Sequence, residues 1–304
     1  MNIATKTPCK VAAIGLGSMG YGMAASALRG GHMVWGVDIN PGQVAKFRSA
    51  GGEPTELAGV VAELDAVLIA VLNAAQTESV LFGDEGIARS LKPGAVVLAC
   101  ATVPPAFARD MAARCAEVGV LYLDAPISGG SLKAANGQLS IMASGSPQAF
   151  SAARPVLDSI AATVFELGDA PGAGSAMKAV NQLLAGVHIA TMAEALTFGM
   201  TQGVAPDKFV EVISKCAGTS WMLENRAPHI VAGDYTPHSS VNIWPKDLGI
   251  VLDIAKSAQF SAPITAAALQ QFVAAAGMGH GLEDDAAVAK VYARNAGLTL
   301  PGET

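Results

Sequence analysis

Short, nearly continuous apolar runs recur through the first half of the chain, each followed by a stretch with helical spacing. Lys10–Ile14 (KVAAI) predicts a strand, residues 18–29 a helix and Met33–Val37 a second strand. Further strands are predicted at 66–71 (AVLIAV), 95–99 (AVVLA), 120–124 (VLYLD), 139–143 and 163–167, with helices over 105–118 and 147–160. Such runs suit strands covered on both faces, and their alternation with helices is the pattern of βαβ units around a parallel sheet. It ends in the turn-rich stretch 168–174 (GDAPGAG), after which no strand pattern appears. Residues 175–202 predict one long alanine-rich helix, too apolar to be exposed all round. Shorter helices are predicted near 207–216, 247–258, 264–276 and 284–295. The expected fold is an α/β domain over residues 1–172 followed by an all-helical domain over 173–304.

Composition narrows the function classes. Charged residues are 14% and hydrophobic residues 51% of 304, which excludes a disordered chain and leaves ample material for a core. The formal net charge of -6 argues against a nucleic-acid partner, because phosphate binding needs a basic surface. Residues 1–10 lack the apolar core of a signal peptide. The uncharged stretch 258–282 contains Pro263, Gln270, Gln271, Gly277, Gly279 and His280, so a buried helix and turn is expected there instead of a membrane span. Cys9, Cys100, Cys115 and Cys216 are scattered without C-x-x-C spacing and read as small buried apolar residues in a reducing compartment. The expectation is a cytoplasmic protein with no membrane partner.

Gly15, Leu16, Gly17, Ser18, Met19 and Gly20 form a G-x-G-x-x-G directly after a predicted strand and at the start of a predicted helix. Glycines at these places permit a tight turn, close backbone approach to a pyrophosphate and close helix–strand packing, with the helix N-terminus facing the anion. This makes the first domain a Rossmann domain holding a dinucleotide. Asp38 ends the second strand, where a carboxylate accepts hydrogen bonds from the adenosine ribose and repels a 2′-phosphate. The next residues, Ile39 and Asn40, offer no arginine for that phosphate, so NAD is the expected cofactor. Asp38 also suits a turn aspartate in Asp-Ile-Asn-Pro, a role it can fill at the same time.

Candidate chemistry lies further along. Residues 124–130 (DAPISGG) follow a strand at its carboxyl end, where ligands bind in open α/β sheets, and Ser128, Gly129 and Gly130 offer a hydroxyl and closely spaced N–H groups to a carboxylate. A plain turn after Pro126 is the alternative. Lys178, Asn181 and Gln182 sit at i, i+3 and i+4 near the start of the long helix, just past the domain junction. Burial favours the neutral form of a lysine, which can then exchange protons near neutral pH. The five histidines show no H-x-x-x-H spacing, so no metal is expected. His188, among apolar residues of the long helix, is expected to be a hydrogen-bonded core histidine.

With these motifs in order, and with Lys246-Asp-Leu-Gly249 after them, the chain resembles the β-hydroxyacid dehydrogenase family over nearly its whole length. The resemblance implies that Lys178 is catalytic and that Ser128, Gly129, Gly130, Asn181 and Gln182 hold the carboxylate and hydroxyl of a small hydroxy-carboxylate substrate. It places Thr102 and Lys246 on the nicotinamide side of NAD, and Leu72 and Asn73, after the 66–71 strand, at the cofactor. Lys246 carries a hint of its own, since a cation at a helix start opposes the helix dipole. Two positions depart from the common family pattern: Asn73 stands where a proline is frequent, and Gln182 replaces a frequent asparagine. Residues 218–226 (GTSWMLENR) and 242–251 (NIWPKDLGIV) are most similar to members acting on L-threonate, oxidised at C2 to the 2-keto acid. Trp221 and Trp244 equally suit core aromatics. Tartronate semialdehyde reduction and 3-hydroxyisobutyrate oxidation remain alternatives. A related imine reductase is disfavoured by Lys178, and a non-catalytic dinucleotide-binding protein by Lys178, Asn181 and Lys246 together. The apolar long helix leads to the expectation of a homodimer or homotetramer.

Overall fold

The computed structural model describes residues 8–303. A first compact unit ends at Lys178 and a second begins at Ala179. In chain order the first contains β1 (Lys10–Ile14), α1 (Gly20–Arg29), β2 (Met33–Val37), α2 (Pro41–Ser49), β3 (Ala66–Ile69), α3 (Ala74–Phe82), β4 (Val96–Ala99) and α4 (Pro105–Glu117). It continues with β5 (Leu121–Asp124), β6 (Ile127–Ser128), α5 (Gly130–Ala135), β7 (Leu139–Ala143), α6 (Pro147–Ile160) and β8 (Ala161–Glu166), and closes in the first turns of α7 (Ala173–Thr201). The rest of α7 belongs to the second unit, with α8 (Pro206–Ile213), α9 (Trp221–Ala232), α10 (Ile243–Ser257), α11 (Pro263–Ala275) and α12 (Ala289–Asn295).

Strand order in the main sheet is β2-β1-β3-β4-β5, all parallel. Because successive side chains of a strand point to opposite faces, each apolar run feeds two cores. Val11, Leu68, Leu98 and Leu123 pack on one face, where Met23 of α1 and Val156 of α6 meet them. Ala12, Val67, Val97 and Tyr122 pack on the other, with Met111 of α4. Strand order reverses at β1, so the chain leaves β1 and β3 in opposite directions and opens a crevice at their carboxyl ends. A small second sheet, β6-β7-β8, pairs β7 antiparallel to β6 and parallel to β8.

Among the described residues of the second unit no strand is present, as the sequence leads one to expect. Its core gathers Ile189, Met192, Leu196, Trp244, Leu248 and Phe272. The predicted helix and turn in 258–282 appear as α11 and a wide turn over Ala276–His280. Helix α7 has the length and hydropathy to cross a membrane, but its buried side carries Lys178, Gln182 and Thr197 beside the core residues. Three expectations need correction. His188 is half-buried and not a core residue, and Cys216 is exposed while Cys100 and Cys115 are buried. Trp244 is a core aromatic stacked on Phe272, but Trp221 opens α9 and is 56% exposed.

Candidate active site

The loop between β1 and α1 has the backbone that a dinucleotide needs. Gly15 has φ +92°, and a Cβ there would lie 2.6 Å from the Ala70 carbonyl oxygen. At Gly20 a Cβ would fall 1.8 Å from the Gly15 oxygen, so only glycine lets α1 start against its own loop. At Gly17 a Cβ would meet nothing within 4 Å; the loop presents bare backbone to open space. Turn, open approach and close packing are thus divided among the three glycines as pyrophosphate binding requires. The residues present fit NAD.

Asp38, at the end of β2, fills the turn role foreseen for it and also reaches the glycine loop. Its Oδ2 accepts from the Leu16 N–H at 2.6 Å, inside the glycine loop, and its Oδ1 accepts from the Asn40 N–H at 2.8 Å. Asn40 in turn caps α2 through Gly42 N–H. A surface recess beside Asp38 is lined by Ile39 and Val44. Arg48 of α2 also lines this recess, its guanidinium tied to Glu56 at 2.8 Å. Replacing Asp38→Ser together with Ile39→Arg is expected to move preference towards NADP in kcat/KM measured with both coenzymes; an unchanged ratio would remove Asp38 from the ribose site.

Leu72 and Asn73 follow β3 into the same crevice. Asn73 caps α3, its Oδ1 accepting from Gln76 N–H at 2.9 Å, while Gln76 Oε1 accepts from Leu72 N–H at 2.8 Å. This reciprocal cap gives a physical reason for asparagine where a proline is frequent. Thr102 is half-buried just beyond β4. Ser128 ends β6, and Gly129 and Gly130 take φ of +133° and +77° before α5. Helix α5 is held to α1 where Ser26 Oγ donates to the Ala134 carbonyl at 2.9 Å, which fixes this loop beside the cofactor helix.

Asp124, the last residue of β5, anchors the start of α7. Its Oδ2 accepts from Gly172 N–H at 2.9 Å, Ser175 N–H at 2.8 Å and Ser144 Oγ at 3.2 Å, and its Oδ1 accepts from Ser175 Oγ at 2.6 Å. Ser144 Oγ also accepts from Gly174 N–H at 2.9 Å, so N–H groups that a helix start leaves unpaired are met by two side chains. Gly174 permits the approach, since a Cβ would lie 2.3 Å from the Met142 oxygen. Burial holds the Asp124 carboxyl above its ordinary range, against the hydrogen bonds from Ser175, Gly172 and Ser144. Lys178, less than two turns along this anchored helix, is buried at 8% exposure.

Asn181 and Gln182 follow on the same helix. Asn181 Nδ2 donates to Gln182 Oε1 at 2.9 Å, and Gln182 Nε2 donates to Asp247 Oδ2 at 2.5 Å. The other oxygen of Asp247 lies 2.6 Å from Lys246 Nζ. One buried carboxylate therefore ties together the amide pair and the lysine that the sequence had kept apart.

Comparison with known proteins gives the family. Residues 10–168 match the NAD binding domain of 6-phosphogluconate dehydrogenase, and residues 172–292 match the NAD-binding domain of NADP-dependent 3-hydroxyisobutyrate dehydrogenase. An L-threonate dehydrogenase of Cupriavidus necator is 51% identical, over 96% of this chain and 98% of its own. The chain belongs to the β-hydroxyacid dehydrogenase family. A 3-hydroxyisobutyrate dehydrogenase of Pseudomonas aeruginosa is 35% identical over 86% of this chain and 90% of its own. The crystal structure of 3-hydroxyisobutyrate dehydrogenase from Salmonella typhimurium superposes with TM-score 0.87 at 45% identity, covering 93% of this chain and 99% of that one. The protein is an NAD-dependent hydroxyacid dehydrogenase.

Sequence reasoning on this β-hydroxyacid dehydrogenase left unassigned two buried carboxylates bonded beside the candidate residues, Asp124 and Asp247. Both sat inside quoted motifs, but their partners lie 51 and 65 residues away. Lys246 also needs restating. Helix α10 begins at Ile243, four residues before the predicted start, and Asp247 meets the ammonium, so the lysine's place in the first turn no longer requires a ligand.

Proposed function

We propose that this dehydrogenase oxidises L-threonate at C2 to 2-dehydro-L-erythronate. The observation that carries the chemistry is the buried Lys178 on a helix whose start is locked to the end of β5. Similarity to several L-threonate dehydrogenases over nearly the whole chain supports the substrate. Bound NAD supplies the acceptor for the hydride that leaves the carbinol carbon. Lys178, in its neutral form, takes the hydroxyl proton as the C–O bond becomes a carbonyl, and in the reverse direction returns it. The Ser128 hydroxyl and the N–H groups of Gly129 and Gly130 orient the substrate carboxylate, and Asn181 and Gln182 hold the hydroxyl side. Thr102 and Lys246 would serve the nicotinamide end of NAD, and Asp247 sets the lysine's position. Residues 1–172 form the cofactor domain and 173–304 the substrate and oligomerisation domain.

The test is initial rates with NAD and L-threonate, erythronate, glycerate, tartronate semialdehyde (with NADH) and 3-hydroxyisobutyrate. L-threonate should lead in kcat/KM by at least about tenfold, the discrimination a shaped pocket gives; a lead by another acid would reassign the substrate. The location is cytoplasmic in this reading. On α7, Met177, Val180 and Leu184 are each about half exposed at helical spacing, and Phe198 is 65% exposed. Such a stripe is covered by another copy in a homodimer or homotetramer. Light scattering should return a multiple of the chain mass, and a monomer would reject this.

A further inference from the structure

Away from these residues the helical unit gathers a second set of polar side chains. His229 lies in the last turn of α9, His238 in the segment leading to α10, and Asp284 just ahead of the single turn Asp285–Val288. Ligand atoms of the three lie within 4.8 Å of one another. Asp284 is completely buried and accepts from His229 Nδ1 at 3.0 Å, His238 N–H at 2.9 Å and Ala286 N–H at 3.1 Å. The two imidazoles meet edge to face with centroids 4.8 Å apart. His238 is exposed, so the cluster opens to water on one side.

Asp284 and Asp285 are both sealed from solvent, and Arg226 faces the pair, with Nε 2.5 Å from Asp285 Oδ1 and 3.9 Å from Asp284 Oδ1. Asp284 Oδ1 is therefore met more closely by His229 than by the guanidinium, and Asp234 adds another acid within electrostatic reach of both imidazoles. A buried carboxylate in that position is stabilised by a bound cation. Two imidazole nitrogens beside one carboxylate oxygen select a borderline transition metal over magnesium or calcium, which prefer all-oxygen shells.

We propose that His229, His238 and Asp284 form a binding site for a divalent transition-metal ion of the zinc or nickel class, with water completing its shell. The proton that His229 Nδ1 shares with Asp284 leaves to solvent, and lone pairs of the two imidazoles and the carboxylate take its place on the metal. Zinc–nitrogen distances of about 2.0–2.1 Å require the donor atoms to draw in, a movement the exposed His238 side chain can make. The ion has no part in hydride transfer. It pins the segment before α10 to Asp284, five residues ahead of the helix that carries Lys246.

The experiment is calorimetric titration of the chelator-treated full-length protein with zinc chloride, and separately with magnesium chloride, alongside thermal unfolding. One zinc per chain should bind, and at a hundredfold excess over Kd Tm should rise by about 5 °C. His238→Ala, at an exposed position that leaves the fold intact, should lower zinc affinity at least about tenfold and abolish most of the Tm shift. His229→Ala should do the same. No zinc binding, zinc binding that both variants leave unchanged, or binding of magnesium with equal affinity would each overturn the proposal.

Discussion

Lys178→Ala is expected to lower kcat at least about a hundredfold, the low end for removal of a positioned acid–base group, while the dissociation constant for NADH stays within about threefold. The reasoning is that, among the described residues, no other lysine is buried: Lys178 lies on an apolar helix, with the amides of Asn181 and Gln182 on the same face. Lys178→Arg separates charge from proton transfer. A guanidinium keeps the positive charge but does not give up its proton in the accessible pH range, so this variant should be nearly as slow as the alanine one. Stopped-flow turnover and NADH fluorescence titration check both arms. Near-normal turnover in either variant would remove Lys178 from the chemistry.

Asp124→Ala should have the second large effect, on stability and turnover together. Removing the carboxylate leaves the buried N–H groups of Gly172 and Ser175 without their acceptor, along with the Ser175 hydroxyl. At roughly 1–3 kcal/mol for each orphaned group, the loss should reach about 3 kcal/mol or more, read as a lower urea midpoint at constant slope. Turnover should fall by about a hundredfold, since a displacement of the helix start moves Lys178 by a sizeable fraction of an ångström. Asp124→Asn should recover most of both, because its carbonyl can accept from the two N–H groups while its NH2 donates to Ser175 Oγ. The pH dependence has a definite sign. Burial raises the folded-state pKa of Asp124, so the stability it contributes is complete below the unfolded value of about 3.9 and is lost as pH rises through the folded value. The stability difference should therefore move in favour of Asp124→Asn as pH rises above the unfolded value. Movement in the opposite direction would show that the charged form is the stabilised one.

Much of this was readable in the chain because it depends on neighbours in sequence. The strands β1 and β2 fall where their apolar runs end, and the glycine loop needs only six consecutive residues. Lys178, Asn181 and Gln182 declare a shared face by spacing alone. Four helices escaped for lack of such a signal. Helix α2 buries only Phe47 and α3 only Thr77 and Leu81, so neither has an apolar stripe, α5 is six residues long, and α9 carries Pro228 and a buried Arg226 inside it. Arg226 is tolerated there because Asp285, 59 residues away, accepts from it. The supporting carboxylates were invisible for the same reason. What an aspartate does in a fold is set by the donors that tertiary structure brings to it, and Asp124 and Asp247 receive theirs from α7.

The Asp38 contact with Leu16 also bears on redesign of coenzyme choice. A side chain exchanged there to admit a phosphorylated ribose simultaneously strips the turn of an acceptor 2.6 Å from its amide. Any library built at position 38 thus mixes selectivity with loop integrity. Variants scored only by their preference ratio will conceal a general weakening for both nucleotides, and a second substitution restoring a short acceptor beneath that amide is the natural companion to select for.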